Sequence, residues 1–431
     1  MTGSIYLAFG AAIMLSLLLG GLWIPFAIGI GGVLMLLLFE GTSSLNSIGF
    51  IVWGSMNSST LSSVPLFILM AEILLRSGVS GTFYAGLARL IWMLPGGLLQ
   101  TNIAGSALFS AISGSSVATA AAIGGVALPR QQQEGYEISI ACGSIAAGGT
   151  LGILIPPSIA MIIYASFTEV SVAKLFMAGL VPGLLLTVLF MSYIGIRSML
   201  QPSLAPRAAA PERLGVYVLS LLQVLPVILI IGFVLGSIYE GFATPTESAA
   251  VGALVSFVVA AVVGRPNLSV YYEAVISAVK VSASLLFISL TAYIFAYAVE
   301  STGVAGDLTQ FVVDLDLNVY LFLVVLFVMY ALLGCLVDSI GMIVLTVPLL
   351  VPILDSYGID LIWFGVMLVV VVELGQITPP MGINLFVVDA ISKAGIGKVV
   401  RGVCPYYVLM AIFILALTIF PKIALWLPGH I

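Results

Sequence analysis

The sequence predicts an all-α polytopic membrane protein made of two inverted repeats. Three observations predict it. Apolar stretches long enough to cross a bilayer recur along the whole chain, which is 61% hydrophobic. Charged residues make up only 7% of it, where a soluble domain carries about 25%. One uncommon motif also occurs twice, at matched places in the two halves.

A spanning helix needs about 20 mainly apolar residues, and stretches 5–20, 22–39, 174–199, 214–237, 245–263, 282–300 and 403–428 provide or nearly provide them. The first, IYLAFGAAIMLSLLLG, has no basic flank or clear cleavage site and runs straight into the second, so it reads as a span and not as a signal peptide. The repeat shows in LGILIPP at 151–157 and LGQITPP at 374–380, an L-G-x-x-x-P-P pattern displaced by 223 positions. The same displacement sets Ser116 on Ser339 and Pro129 on Pro352. Farther upstream, LFILMAEILLRSGV at 66–79 faces LFISLTAYIFAYAVESTGV at 286–304 with a slightly different offset. The joint is QPSLAPRAAAPER, 201–213, a Pro- and Arg-rich linker. The expected organisation is a first repeat over 1–200, with a hairpin at 97–130 and a broken helix at 138–165. A second repeat then covers 214–431, with a hairpin at 318–353 and a broken helix at 361–392.

Basic residues set the orientation. Arg76, Arg89, Arg130, Arg197, Arg207, Arg213, Arg265, Lys280, Lys393, Lys398 and Arg401 all fall on one side if both termini lie on the other. That side is cytoplasmic. Glu40, Glu169, Glu240, Asp307, Asp314, Asp316, Asp355 and Asp360 collect opposite, with Lys174 and Lys422 as basic exceptions. The arrangement requires the two hairpins to enter and leave on one face, giving ten crossings plus two re-entrant hairpins. Five crossings per half make the halves antiparallel.

Several function classes drop out. Cys142, Cys335 and Cys404 are scattered in apolar surroundings and read as buried small hydrophobes, not as a disulfide framework or zinc site. The single histidine, His430, sits in the C-terminal tail, which removes chemistry built on an imidazole. An intramembrane protease would need a Ser/His pair, two aspartates or a zinc motif. No HExxH is present, and Asp338 with Asp389 is the residual pair. The net charge of −5 says little, because placement outweighs the sum.

The hairpin tips are small and polar: Ser113-Gly114-Ser115-Ser116 and Val337-Asp338-Ser339-Ile340-Gly341. Irregular backbone at membrane depth is tolerated only where protein buries it or a wet cavity receives it, but small residues also serve plain helix packing. The proline pairs separate these readings. Pro156-Pro157 and Pro379-Pro380 each remove two successive amide donors and free carbonyls in mid-helix. Two such breaks in register, each after its own tip, read as broken helices whose carbonyls bind cations and whose half-helix N-termini face an anion. Carbonyl and hydroxyl oxygens suit a hard monovalent cation, and no thiolate or imidazole is there for a transition metal. Asp338 facing lipid unpaired would cost about 2.5–3.5 kcal/mol, so it faces a site or caps the returning arm. Glu72 lies four residues before Arg76, the spacing of an ion pair. Glu373 reads either as a site-lining carboxylate or as a supporting residue. Thr378 and Asn384 stand beside the second break where the first has Ile155 and Met161, so the halves should contact cargo unequally.

These residues resemble the large membrane subunit of the tripartite ATP-independent periplasmic (TRAP) transporters. The likeness rests on PLFILMAEILLRSG (65–78), AISGSSVATAAAIGGVALP (111–129), AGGTLGILIPPSIAMIIYA (147–165), KLFMAGLVPGLL (174–185), FATPTESAAVGAL (242–254) and ITPPMGINLF (377–386). The resemblance implies an elevator-type carrier in a bacterial or archaeal inner membrane, driven by a sodium gradient and using no organic cofactor. It implies two partners, a small membrane subunit and a periplasmic binding protein that delivers a small organic anion, a carboxylate or sugar acid. Implied sodium sites are Ser113, Gly114, Ser115 and Ser116 with Gly152 to Pro156, and Asp338, Ser339 and Gly341 with Gly375, Thr378 and Pro379. Between them the anion would meet Ser116, Pro157, Ser339, Thr378, Pro380 and Asn384. Gln376 and Glu373 depart from the pattern expected at the second break. A stand-alone sodium/dicarboxylate symporter of a related hairpin-containing family would show the same repeat without needing a binding protein. A channel fits less well, because paired broken helices suit alternating access.

Overall fold

In the computed structural model the described residues are 10, 12–14, 16–17, 20–206, 214–264 and 266–430, and among them there is no strand. Most of the apolar stretch 5–20, linker residues 207–213 with Arg207 and Arg213, and Arg265 lie outside the described residues. Before the linker run α1 (Ile24–Phe39), α2 (Leu45–Met56), α3 (Ser59–Arg76), α4 (Val79–Leu90), α5 (Leu98–Ser113), α6 (Ser116–Gln133), α7 (Ile138–Leu154), α8 (Ile159–Thr168) and α9 (Val172–Leu200). After it come α10 (Leu214–Tyr239), α11 (Pro245–Val259), α12 (Leu268–Ser301), α13 (Val304–Asp314), α14 (Val319–Gly334), α15 (Ser339–Ser356), α16 (Leu361–Gln376), α17 (Ile383–Ser392), α18 (Ile396–Ile419) and a short α19 (Lys422–Leu425).

From the hairpins onward the two halves keep step. The arms α5 and α14 have 16 residues each, α6 and α15 have 18, and α8 and α17 have 10. Ser116 and Ser339 open the return arms, and Ile138 and Leu361 open the broken helices, both pairs 223 positions apart. Local chemistry explains the matched starts. Glu137 accepts from the Ser139 and Ile140 N–H groups at 3.1 and 2.8 Å, and Asp360 accepts from Ile362 and Trp363 at 2.8 and 2.9 Å. Each satisfies amides that a helix start leaves without partners, typically worth about 1 kcal/mol.

Among the described residues eight helical stretches are long and apolar enough to cross a membrane, while α1, α14, α16 and α17 are shorter apolar helices. Two predicted stretches shift. The one at 282–300 belongs to α12, which begins at Leu268, and the one at 403–428 belongs to α18, which begins at Ile396 and stops before Pro421. Cys404 is exposed on α18, contrary to the buried position expected from its apolar neighbours, because that helix turns one face outward; Cys142 and Cys335 are buried.

Packing places the hairpins at the centre. Helix α7 is enclosed by α5, α6 and α18, and α16 takes α14 against it. The return arms then cross over: α6 packs on α17 and α15 packs on α8, so each hairpin rests on both broken helices. Outside this group α12 gathers α1, α2 and α3, while α11 lies on α3 and α10 on α4. Arg76 bonds Glu72 at 2.7 Å as the spacing predicts, and Glu273 from α12 joins them at 3.6 Å.

Candidate functional site: two hairpin tips against two broken helices

The first tip is two residues long. Chain direction reverses at Gly114, with φ +57°, and Ser115 restarts the helix by accepting from the Ala118 N–H at 3.4 Å. Ser113 Oγ shares a 2.6 Å hydrogen bond with Thr119 Oγ1 and donates to the Ser115 carbonyl at 3.3 Å. This tip sits directly on the first break. The Gly114 carbonyl accepts from the Ile159 N–H at 3.3 Å, and a Cβ at Gly152 would stand 2.5 Å from the Ser115 carbonyl oxygen. Only glycine permits that approach. Pro156 and Pro157, joined by a cis peptide, are buried and carry no N–H, so the carbonyls of Gly152 and Ile153 lose their intrahelical donors. Ser158 caps α8 through the Met161 N–H at 3.3 Å.

The second tip is longer. It runs from Cys335 to Asp338, and Ser339, Ile340 and Gly341, expected within the tip, already form the first turn of α15. The physical reason is that α14 ends 221 positions after α5, not 223, which leaves two more residues to turn. Asp338 caps α15 by accepting from the Ile340 and Gly341 N–H groups at 3.1 and 3.2 Å. The capping role is therefore realised at this residue. Gly375 meets the arm instead of the tip, since its Cβ would lie 2.6 Å from Gly334 Cα. Thr378 turns both donors back on its own helix, N–H to Gly375 O at 3.0 Å and hydroxyl to Leu374 O at 2.6 Å. Pro379 and Pro380, also cis, are exposed together with Met381. The first break is thus enclosed and the second is open.

A hydrogen bond joins the two sites. The Ser116 hydroxyl donates to Gln376 Oε1 at 2.7 Å, linking the first return arm to the second broken helix. Asn384, fully buried on α17, has both side-chain polar atoms without partners. Sequence reasoning treated Gln376 only as a departure and overlooked the cap pair Glu137 and Asp360, which the 223-position displacement superimposes. It also missed a buried polar group behind the first hairpin. There Tyr84 donates to Asn102 Oδ1 at 2.8 Å, Gln131 Nε2 donates to the same oxygen at 2.8 Å, and Asn102 Nδ2 donates to Ser144 Oγ at 2.8 Å.

An all-helical membrane protein whose paired hairpins rest crosswise on paired broken helices falls in the class of multi-pass membrane transporters. A solved transporter, YdaH of Alcanivorax borkumensis, shares the fold, with a TM-score of 0.67 over 90% of each chain at 16% identity. Residues 11–423 match the family described as tripartite ATP-independent periplasmic transporter, DctM component, and the chain belongs to that family. It is similar to the C4-dicarboxylate TRAP transporter large permease protein DctM of Pseudomonas aeruginosa, at 35% identity over 406 residues and 94% of each chain. The sialic acid TRAP transporter permease protein SiaT of Haemophilus influenzae is 32% identical over 381 residues, which are 87% of this chain and 61% of that protein. The chain is therefore a large permease subunit, a transport protein of the inner membrane whose relatives are permeases and not enzymes.

Proposed function

We propose that this subunit is the membrane permease of a sodium-coupled secondary transporter that imports a small organic anion, a carboxylate or sugar acid handed over by a periplasmic binding protein. The observation that carries the reading is the seating of each hairpin against a glycine of its own broken helix, one turn before a proline pair that frees backbone carbonyls. Sodium bound at Ser113 to Ser116 with Gly152 to Pro156, and at Asp338 to Gly341 with Gly375 to Pro379, orders the tips. The anion then sits between them, against Ser116, Pro157, Ser339, Thr378, Pro380 and Asn384. Crosswise packing supports one shared volume, since each return arm lies on the other half's broken helix. Similarity to permeases named for C4-dicarboxylates and for sialic acid supports the cargo class. In SiaT the matched region is only 61% of the protein, and the remainder leaves room for a small membrane subunit as partner. Both termini are periplasmic on this reading, and the hairpin group moves as an elevator.

Thermal stability of the purified chain tests the coupling, because a ligand bound only by the folded state raises it with the logarithm of ligand concentration. Sodium is expected to stabilise the wild type more than potassium does, and Pro379→Ala with Pro380→Ala to remove part of that difference while membrane insertion stays normal. Equal stabilisation by both ions, with uptake unchanged in the double variant, would reduce the motifs to packing devices.

A further inference from the structure

The second break carries a carboxylate and an amide side chain that the first lacks. Across the 223-position displacement Glu373 stands where the first repeat has Thr150, and Gln376 where it has Ile153. Glu373 is 1% exposed, and neither carboxylate oxygen has a hydrogen-bond partner. None of the ion pairs among the described residues includes it. The Ser116 hydroxyl beside it is given to Gln376, and a carboxylate buried without a counter-charge is strongly disfavoured. It lies three positions before Gln376, so the two share one face of α16. Gln376 Oε1 holds the Ser116 hydroxyl at 2.7 Å, which brings an oxygen of the first hairpin to that face.

We propose that Glu373, Ser116 Oγ and Gln376 Oε1 form a further cation seat between the two hairpin sites, taking a dehydrated monovalent cation of the sodium class. The proposal rests on the sodium-coupled reading above. All three are hard oxygen donors. Their single negative charge balances one positive charge, whereas a divalent ion would leave a net charge in a site almost closed to water. The ion also cancels a charge that would otherwise repel an anionic cargo held between the tips. Because its ligands come from both repeats, it ties the first return arm to the second broken helix.

Counting bound ions on the full chain in lipid nanodiscs tests this. Radiolabelled sodium at equilibrium should show one ion more per wild-type chain than per Glu373→Gln chain. The slope of thermal stabilisation against the logarithm of sodium concentration should fall by one ion's worth in the variant. If wild type and E373Q bind equal, non-zero numbers, the further seat is overturned and the hairpin sites stand. If neither binds sodium, the coupled reading falls as well. Should E373Q not be recovered folded, the wild-type count decides: more ions than the two hairpin sites hold supports the seat, and no more than that overturns it.

Discussion

At Gly152 a Cβ would meet the Ser115 carbonyl carbon and oxygen at 2.7 and 2.5 Å, and Ser116 Cα at 2.8 Å. These are backbone atoms, which cannot swing aside as a side chain can. Inserting a methyl into such packing typically costs about 1–3 kcal/mol. Gly152→Ala is therefore expected to lower the melting temperature and to abolish most of the sodium-dependent increment, measured by heating the purified variant with and without sodium. A variant with the wild-type sodium response would show that the tip does not need its seat on α7. The seat was legible as a repeated glycine two residues into each L-G-x-x-x-P-P motif. Ser116 was legible only in part. Its size and repeat position marked it, but its partner Gln376 lies 260 residues away, and no local pattern encodes a contact across that distance.

The two hairpins are equal in arm length but differ in what lies behind them. Behind the first, Tyr84, Asn102, Gln131 and Ser144 form a buried hydrogen-bonded group spanning α4, both arms and α7. In the second, the positions corresponding to Gln131 and Ser144 are Leu354 and Met367, both buried apolar residues. Removing one partner leaves the others unsatisfied, at about 1–3 kcal/mol each. Asn102→Leu should therefore destabilise the folded chain by that order, and Gln131→Leu likewise. The double variant should lose less than the sum, because exchanging both partners for apolar groups removes the orphaned atoms. Melting temperatures of the three variants check this, and strict additivity would mean that the network does not act as a unit. Hairpin positions and return-arm starts were readable from one displacement. The longer second tip was not, because only the first arm shifts, by two residues, and apolar arm sequences tolerate such a slip without a visible mark.

A cavity of about 610 Å³ opens between the outer helices α2 and α12 and the hairpin group, with Tyr297 and Glu300 on one side and Phe167, Glu169 and Pro352 on the other. None of the proposed sodium or anion residues lines it. Across it Tyr293 stacks on Phe167 at 4.3 Å and donates to the Ser166 carbonyl at 2.7 Å. On the proposed elevator reading, this is a boundary along which the hairpin group would slide. Cysteines placed at 167 and 293 in a chain lacking its own three should cross-link with a short bifunctional reagent. Once linked, they should arrest uptake while sodium still stabilises the protein, read by transport and melting assays on one sample. Uptake that survives complete cross-linking would exclude relative movement at this boundary. The all-helical class was legible from apolar runs and scarce charge, since lipid leaves a chain few alternatives. The division into framework and hairpin group was not, because both are equally apolar in sequence and differ only in what they pack against.

Crosswise seating has a consequence for heredity. If each half were a self-contained unit, a substitution in one could be absorbed there, and two ancestral copies could have diverged freely. Here α6 lies on α17 and α15 lies on α8, so a change on the crossing face of a return arm is judged by a surface encoded in the other half of the gene. Substitutions at those crossings are expected to need compensation in the opposite half, and a half taken from another protein to fit poorly without its own counterpart.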